Sequence, residues 1–200
     1  MSNLSIFNSL KIILLERKLS TSVGDEGGFA PDISSNKECL DLIIKAIEKS
    51  NYIPGKEVFI ALDVAGSEFF REDRYIMSGE SLKLKKEEMV NYYSDLIKNY
   101  PIISIEDGLD ENDWDGWVYL TSELGSKCQL VGDDLFVTSS QRLDMGINKK
   151  AGNSILIKLN QIGSLTETIK TIELAKKNNF NTIISHRSGE TEDTFISDLS

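Results

Sequence analysis

Ile102-Ile103-Ser104-Ile105 runs directly into Glu106, and Gln129-Leu130-Val131-Gly132 runs directly into Asp133 and Asp134; between them Trp114, Trp117, Leu120 and Leu124 recur at helical spacing. A short, nearly continuous apolar run marks a strand covered on both faces, and a period of 3.6 marks a helix packed on one. Strand, helix, strand predicts a parallel pair with a crossover, and the alternation extends both ways. Val58 to Leu62, Ile155 to Leu159 and Thr182 to Ser185 are further runs, with a weaker sixth at Ser20 to Val23. Met89, Tyr92, Tyr93, Leu96 and Ile97 share a helix face within 84–99, Leu40, Ile43, Ile44 and Ile47 do so after Ser35, and Phe7, Leu10 and Leu14 mark a helix near the N-terminus. Capping boxes at Ser35-Asn36-Lys37-Glu38 and Ser164-Leu165-Thr166-Glu167 set two helix starts. The fold class is α/β with a parallel sheet, either open and doubly wound or curled into a barrel.

Composition bounds the function. Two hundred residues, 40% hydrophobic and 27% charged, suit one globular domain. With 22 basic against 32 acidic residues and a net charge of −10, the surface does not suit nucleic acid, whose phosphates need basic patches. Cys39 and Cys128 close at most one bridge, so reduced thiols in a cytoplasmic protein are expected. The run Ile12 to Leu15, flanked by Lys11 and Glu16, is too short for a signal segment or a membrane span.

The residues just after the apolar runs carry the chemistry. The runs lead into Asp63, Glu106, Asp133 with Asp134, Lys158, and His186-Arg187-Ser188, and the weak sixth leads into Asp25-Glu26. A single Asp after a strand is ordinarily a helix cap or a turn residue. Carboxylates on three successive strand ends, then a lysine, then a histidine and arginine, converge on one rim of a parallel sheet. Asp63, Glu106 and Asp133 offer hard oxygen ligands with no Cys or His, which suits Mg²⁺ and not zinc. The alternative is that each pairs with a basic neighbour. Lys158 falls within an apolar run, where burial and positive neighbours favour the neutral amine and a role as base; a snorkelling side chain is the alternative. His186 is the only histidine, and lone histidines are more often structural. Beside it Arg187 supplies a fork for phosphate or carboxylate, Ser188 a hydroxyl, and Gly189 a close backbone approach. Gly27-Gly28 shapes the turn that presents Glu26.

Five segments then resemble the enolase family, in the family's order: Ser22 to Pro31 (SVGDEGGFAP), Ser104 to Gly108 (SIEDG), Leu130 to Thr138 (LVGDDLFVT), Leu156 to Gly163 (LIKLNQIG) and Ser185 to Asp193 (SHRSGETED). The resemblance runs from about Phe7 to Ser200. Gly108 stands where many eukaryotic members carry proline, and Leu109 to Trp117 is bacterial in character. The resemblance implies a (β/α)₈ TIM-type barrel, here with about six of the eight strands. On this expectation residues 1–200 are a partial C-terminal barrel domain, with the family's N-terminal α+β domain and last barrel strand outside it. It implies Mg²⁺-dependent reversible dehydration of 2-phosphoglycerate to phosphoenolpyruvate. Glu26 is then the proton donor to the leaving hydroxyl and Lys158 the base. Asp63, Glu106 and Asp133 hold a structural Mg²⁺, His186, Arg187 and Ser188 contact substrate with Lys158, and a second Mg²⁺ comes with substrate. A Lys or His base with one or two Mg²⁺ ions is known of enolase-superfamily sites, so these roles come with the resemblance and not from spacing. A homodimeric cytoplasmic parent, with a cell-surface or secreted pool, is implied too. The 200 residues alone are expected to show little or no turnover, the site being open to water. A non-catalytic binding or scaffold role is the other reading; an acid-sugar dehydratase of the superfamily fits less well, because it should not carry the run from Ser185 to Asp193 intact.

Overall fold

The computed structural model describes residues 2–187 and 191–200. Helices α1 (Ser2–Glu16) and α2 (Asn36–Lys49) pack together and lead to β1 (Ile60–Asp63). An antiparallel meander comes next, of β2 (Phe70–Arg71), β3 (Arg74–Met77) and β4 (Leu82–Leu84). The chain then alternates through α3 (Lys86–Asn99), β5 (Ile102–Glu106), α4 (Trp114–Leu124), β6 (Gln129–Gly132), α5 (Ser140–Lys149) and β7 (Ser154–Ile157). It ends with the short α6 (Leu159–Ile162), α7 (Leu165–Lys177), β8 (Asn181–Ile184) and α8 (Phe195–Leu199).

Strands β1, β5, β6, β7 and β8 form one sheet in that order, every neighbouring pair parallel. Each new strand adds to the same edge. A doubly wound sheet reverses direction at a switch point, whereas a barrel wall grows one way, so the order selects the barrel type between the two architectures that the strand and helix alternation allows. The sheet described is open, with five strands rather than six. Ser20 to Val23 does not join it: Val23 makes a local antiparallel bridge to Phe29, with the Gly24 amide donating to the Gly28 carbonyl at 2.9 Å. Ser20, Thr21 and Ser22 leave that segment one apolar side chain, Val23, which is 55% exposed. β7 ends at Ile157, so Lys158 comes after the strand in extended conformation instead of lying inside it.

The capping boxes form in altered shape. Ser35 accepts the Glu38 amide at 3.2 Å, but the Glu38 carboxylate turns to the Ser34 amide and hydroxyl at 3.1 and 2.6 Å. Ser164 accepts the Glu167 amide at 3.3 Å and donates its own hydroxyl to the Glu167 carboxylate at 2.6 Å.

Register assigns the faces of the sheet. Asp63 pairs with Glu106, Glu106 with Val131, and Val131 with Ser154, so with the period of two Asp133 and Lys158 share their face. Leu62, Ile105, Leu130, Ile155, Ile157 and Ile184 take the other face and pack with the helices. There Trp117, Tyr93, Leu120, Leu124 and Phe136 are fully buried, each large apolar side chain contributing about 1.5–3 kcal/mol. A smaller cluster of Ile13, Leu14, Leu42 and Ala46 joins α1 to α2, with Phe7 stacked on Phe29 at 4.3 Å.

Phe136 ties the core to the loop after β6. Its ring fills the space over two glycines: a Cβ at Gly146 would lie 2.4 Å from its Cε1, and one at Gly132 2.5 Å from its Cδ2. Gly146→Ala is therefore expected to destabilise the protein by about 1–3 kcal/mol, despite alanine's better helix propensity, as overpacking does. Urea denaturation measures it; an equal or raised midpoint would show that Phe136 yields without cost.

Candidate active site at the strand ends

In a parallel sheet all strands end at the same rim, and the residues after them converge there. Asp63 closes β1 and accepts the Ala65 amide at 3.2 Å; Glu106 closes β5 in register with it. Asp133 comes directly after β6 and is 7% exposed; one of its oxygens is ion-paired with the Lys158 ammonium and the other accepts the Gln161 side-chain amide at 2.7 Å. The sequence pattern leads one to expect positive neighbours for Lys158. It sits instead among carboxylates, because β1, β5 and β6 all end in acids on its face of the sheet.

Of the remaining candidates, Arg187 comes near enough to the rim to oppose the rise of the Asp134 pKa. His186 is exposed after β8, its Nδ1 3.0 Å from the Arg187 carbonyl oxygen; since that oxygen only accepts, the hydrogen bond puts a proton on Nδ1. Arg187 approaches the Asn160 side-chain oxygen at 3.5 Å and lines a cleft with Asp193 and Phe195. Ser188 lies outside the described residues. Glu26 is exposed in the turn between Val23 and Phe29, and Phe29 packs on the α1–α2 pair.

The rim is electrostatically unbalanced. Burial first, then Asp63, Asp133 and Asp107, push the Glu106 carboxyl up to about 8, with Lys158 pulling the other way. Burial raises Asp107 to about 7, although the amides of Asp134 and Asp133 favour its charged form. Asp63 and Asp134 are also raised, burial leading and Asp133 adding, with Lys158 opposing in both. Five carboxylates around the Lys158 ammonium, with the Arg187 guanidinium opposing the rise of Asp134 as well, make a set of hard oxygen donors short of positive charge, which fits a divalent cation of the Mg²⁺ kind.

Among the described residues, the group whose ligand atoms all lie within 4.8 Å of one another is Asp107, Asp133 and Asp134. Asp63 and Glu106 do not draw in that tightly with Asp133, whose partner in this state is the Lys158 ammonium. Asp107 is 5% exposed and does not stand out in the sequence pattern. Its two oxygens accept the backbone amides of Asp133 and Asp134 at 3.0 and 2.9 Å, so it clamps the end of β6 to the end of β5.

The raised carboxyls make stability depend on pH. Between about 4.5 and 8 the folded chain keeps a proton on Glu106 that the unfolded chain has released, and Asp107 does the same between 3.8 and about 7. The folded state thus binds more protons, and stability falls as pH rises through that window. Denaturation without divalent cation at about pH 5 and about pH 8 is expected to give the lower stability at the higher pH, with Mg²⁺ recovering more there. Equal stability at both, or a gain with pH, would contradict the crowding.

A parallel sheet wound one way, its strand ends carrying acids and one lysine on a common face, defines a barrel-type α/β protein with a cation-seeking rim. The family described as "Enolase, C-terminal TIM barrel domain" matches residues 2–200, and a curated relative, the enolase of Natranaerobius thermophilus, is 59% identical over 194 residues, 97% of this chain. The chain belongs to the enolase C-terminal TIM barrel domain family. It spans 45% of that relative's length.

Proposed function

We propose that this chain takes part in the Mg²⁺-dependent, reversible dehydration of 2-phosphoglycerate to phosphoenolpyruvate, as a phosphopyruvate hydratase, a hydro-lyase. The observation that carries the reading is the ion pair of Lys158 with Asp133 at the ends of adjacent strands, inside a rim of carboxylates. On this reading Asp63, Glu106 and Asp133 hold a structural Mg²⁺, and a second ion comes with substrate. Bound Mg²⁺ supplies the positive charge that lets a second negative charge develop on an already anionic carboxylate. Lys158, as the neutral amine, would take the proton from C2 and become the ammonium. Glu26 protonates the hydroxyl that leaves from C3. Arg187, His186 and Ser188 hold the substrate, the arginine fork matching phosphate or carboxylate geometry.

We read residues 1–200 as part of a C-terminal barrel domain whose other strands and N-terminal α+β domain lie elsewhere in the parent, a cytoplasmic homodimer. Among the described residues, no helix is long and apolar enough to cross a membrane. In the 200-residue chain alone the rim is open to water and Glu26 stands on an exposed turn, so complete turnover is expected to be slow.

The proton-abstraction step needs only base and metal and is the sharper test. Incubated in D₂O with 2-phosphoglycerate and Mg²⁺, the chain is expected to exchange the C2 proton faster than it forms phosphoenolpyruvate, read by proton NMR, and chelation is expected to stop the exchange. Exchange that continues without divalent cation, or phosphoenolpyruvate formed with no exchange in remaining substrate under any condition, would contradict the assignment.

A further inference from the structure

We propose that Thr138 and Gln161 are positioning residues that fix the Asp133 carboxylate for the cation, an inference that rests on the metal reading under Proposed function. Four residues close a ring of hydrogen bonds. The Lys158 backbone amide donates to the Thr138 hydroxyl at 2.9 Å, that hydroxyl donates to the Gln161 side-chain oxygen at 2.7 Å, and the Gln161 side-chain nitrogen donates to Asp133 Oδ1 at 2.7 Å. The Lys158 ammonium on Asp133 Oδ2 completes it.

The polarity of this ring is fixed by chemistry. A backbone amide can only donate, so the Thr138 hydroxyl accepts from Lys158 and must spend its own hydrogen elsewhere. It spends it on Gln161, which turns the oxygen end of that amide toward Thr138 and the NH₂ end toward Asp133. Each oxygen of the Asp133 carboxylate therefore faces a donor of set position, and its plane cannot rotate freely. Thr138 is itself held: it is fully buried, and its carbonyl accepts the Thr171 hydroxyl at 3.0 Å.

Backbone strain in the same loop supports a purpose. Val137 and Thr138 have φ of +43° and +55°, two successive β-branched residues in a region such residues avoid. This conformation belongs to the turn that sets the Thr138 hydroxyl between Lys158 and Gln161, with the Val137 amide donating to the Asp133 carbonyl at 2.7 Å. Strain of this kind persists only where its surroundings hold it, and it gathers at functional sites. Partners that orient a metal-binding carboxylate typically contribute about 10–100-fold to metal affinity.

The test is calorimetric titration of Mg²⁺ into the 200-residue chain and its Gln161→Leu, Thr138→Val, Thr138→Ser and Asp133→Asn variants, each with a melting curve. Gln161→Leu and Thr138→Val are expected to weaken Mg²⁺ binding by about 10–100-fold, and Thr138→Ser, which keeps the hydroxyl, to restore it to near wild type. The double variant Gln161→Leu/Thr138→Val is expected to bind no more weakly than the worse single one, because both act through the same carboxylate. Wild-type affinity in Gln161→Leu would overturn the proposal. So would equal losses in Thr138→Ser and Thr138→Val, which would assign the effect to packing of the methyl group. Failure of the metal reading is a separate result: Asp133→Asn would then bind Mg²⁺ as the wild type does.

Discussion

Asp107→Ala is expected to destabilise the protein by about 2–6 kcal/mol, since it strands two backbone amides at a cost of about 1–3 kcal/mol each. These are the amides of Asp133 and Asp134, held at 3.0 and 2.9 Å by a carboxylate that is 5% exposed. Against a typical folding free energy of about 5–15 kcal/mol the loss is large. Part of it is returned, because removing Asp107 takes one carboxylate from the group that raises Glu106. Asp107→Asn keeps one acceptor and is expected to cost about half as much, so the pair of variants separates hydrogen bonding from charge. Mg²⁺ affinity should fall in both, because the end of β6 is no longer clamped to the end of β5. Urea denaturation with and without Mg²⁺ measures both effects. A loss under about 0.5 kcal/mol in Asp107→Ala, the range of an unremarkable surface change, would contradict the clamp.

Lys158→Met is expected to act on stability and chemistry in opposite relation to Mg²⁺. The side chains of Lys158 and Asp133 are 18% and 10% exposed, and breaking a pair this buried typically costs about 3–5 kcal/mol. Without the ammonium, Asp63 and Glu106 lose the charge that opposes their upward shift, and Asp134 keeps the weaker opposition of Arg187 alone. The loss should therefore be greatest near about pH 8 and shrink as the carboxyls take up protons toward about pH 5. Mg²⁺ can replace the missing charge, so the variant should gain more stability from Mg²⁺ than the wild type does. Its exchange of the C2 proton should nevertheless drop by about 10²–10⁴-fold, the usual contribution of a positioned base. Exchange at the wild-type rate would remove Lys158 from the base role, and an unchanged response of stability to Mg²⁺ would remove it from the charge balance.

The residues that a sequence can reveal here are those on which period and chemistry coincide. Asp63, Glu106 and Asp133 each stand where a recognisable apolar run stops, and parallel pairing then carries them to one rim whatever the details of the loops. The choice of barrel over doubly wound sheet depended on the order in which strands add, which no single strand encodes. Ser20 to Val23 imitates a strand weakly, but a single exposed valine cannot anchor one. Asp107 was hidden by alternation: next to Glu106 it belongs formally to the opposite face, and a φ of +42° brings its carboxylate to the neighbouring strand end. Thr138 and Gln161 lie 23 residues apart and meet Asp133 only through tertiary packing. The neighbours of Lys158 are negative rather than positive for the same reason, since what surrounds a side chain is set by adjacent strands and not by its own.

The most direct test of the cation-seeking rim is a Mg²⁺ titration of the chain by calorimetry near neutral pH, repeated in buffers of different ionisation enthalpy so that released protons are counted. Glu106 and Asp107, raised to about 8 and about 7, should give up protons as the ion binds, and Asp133→Asn should lose the binding. Mg²⁺ binding that releases no protons, or that survives intact in Asp133→Asn, would contradict the account.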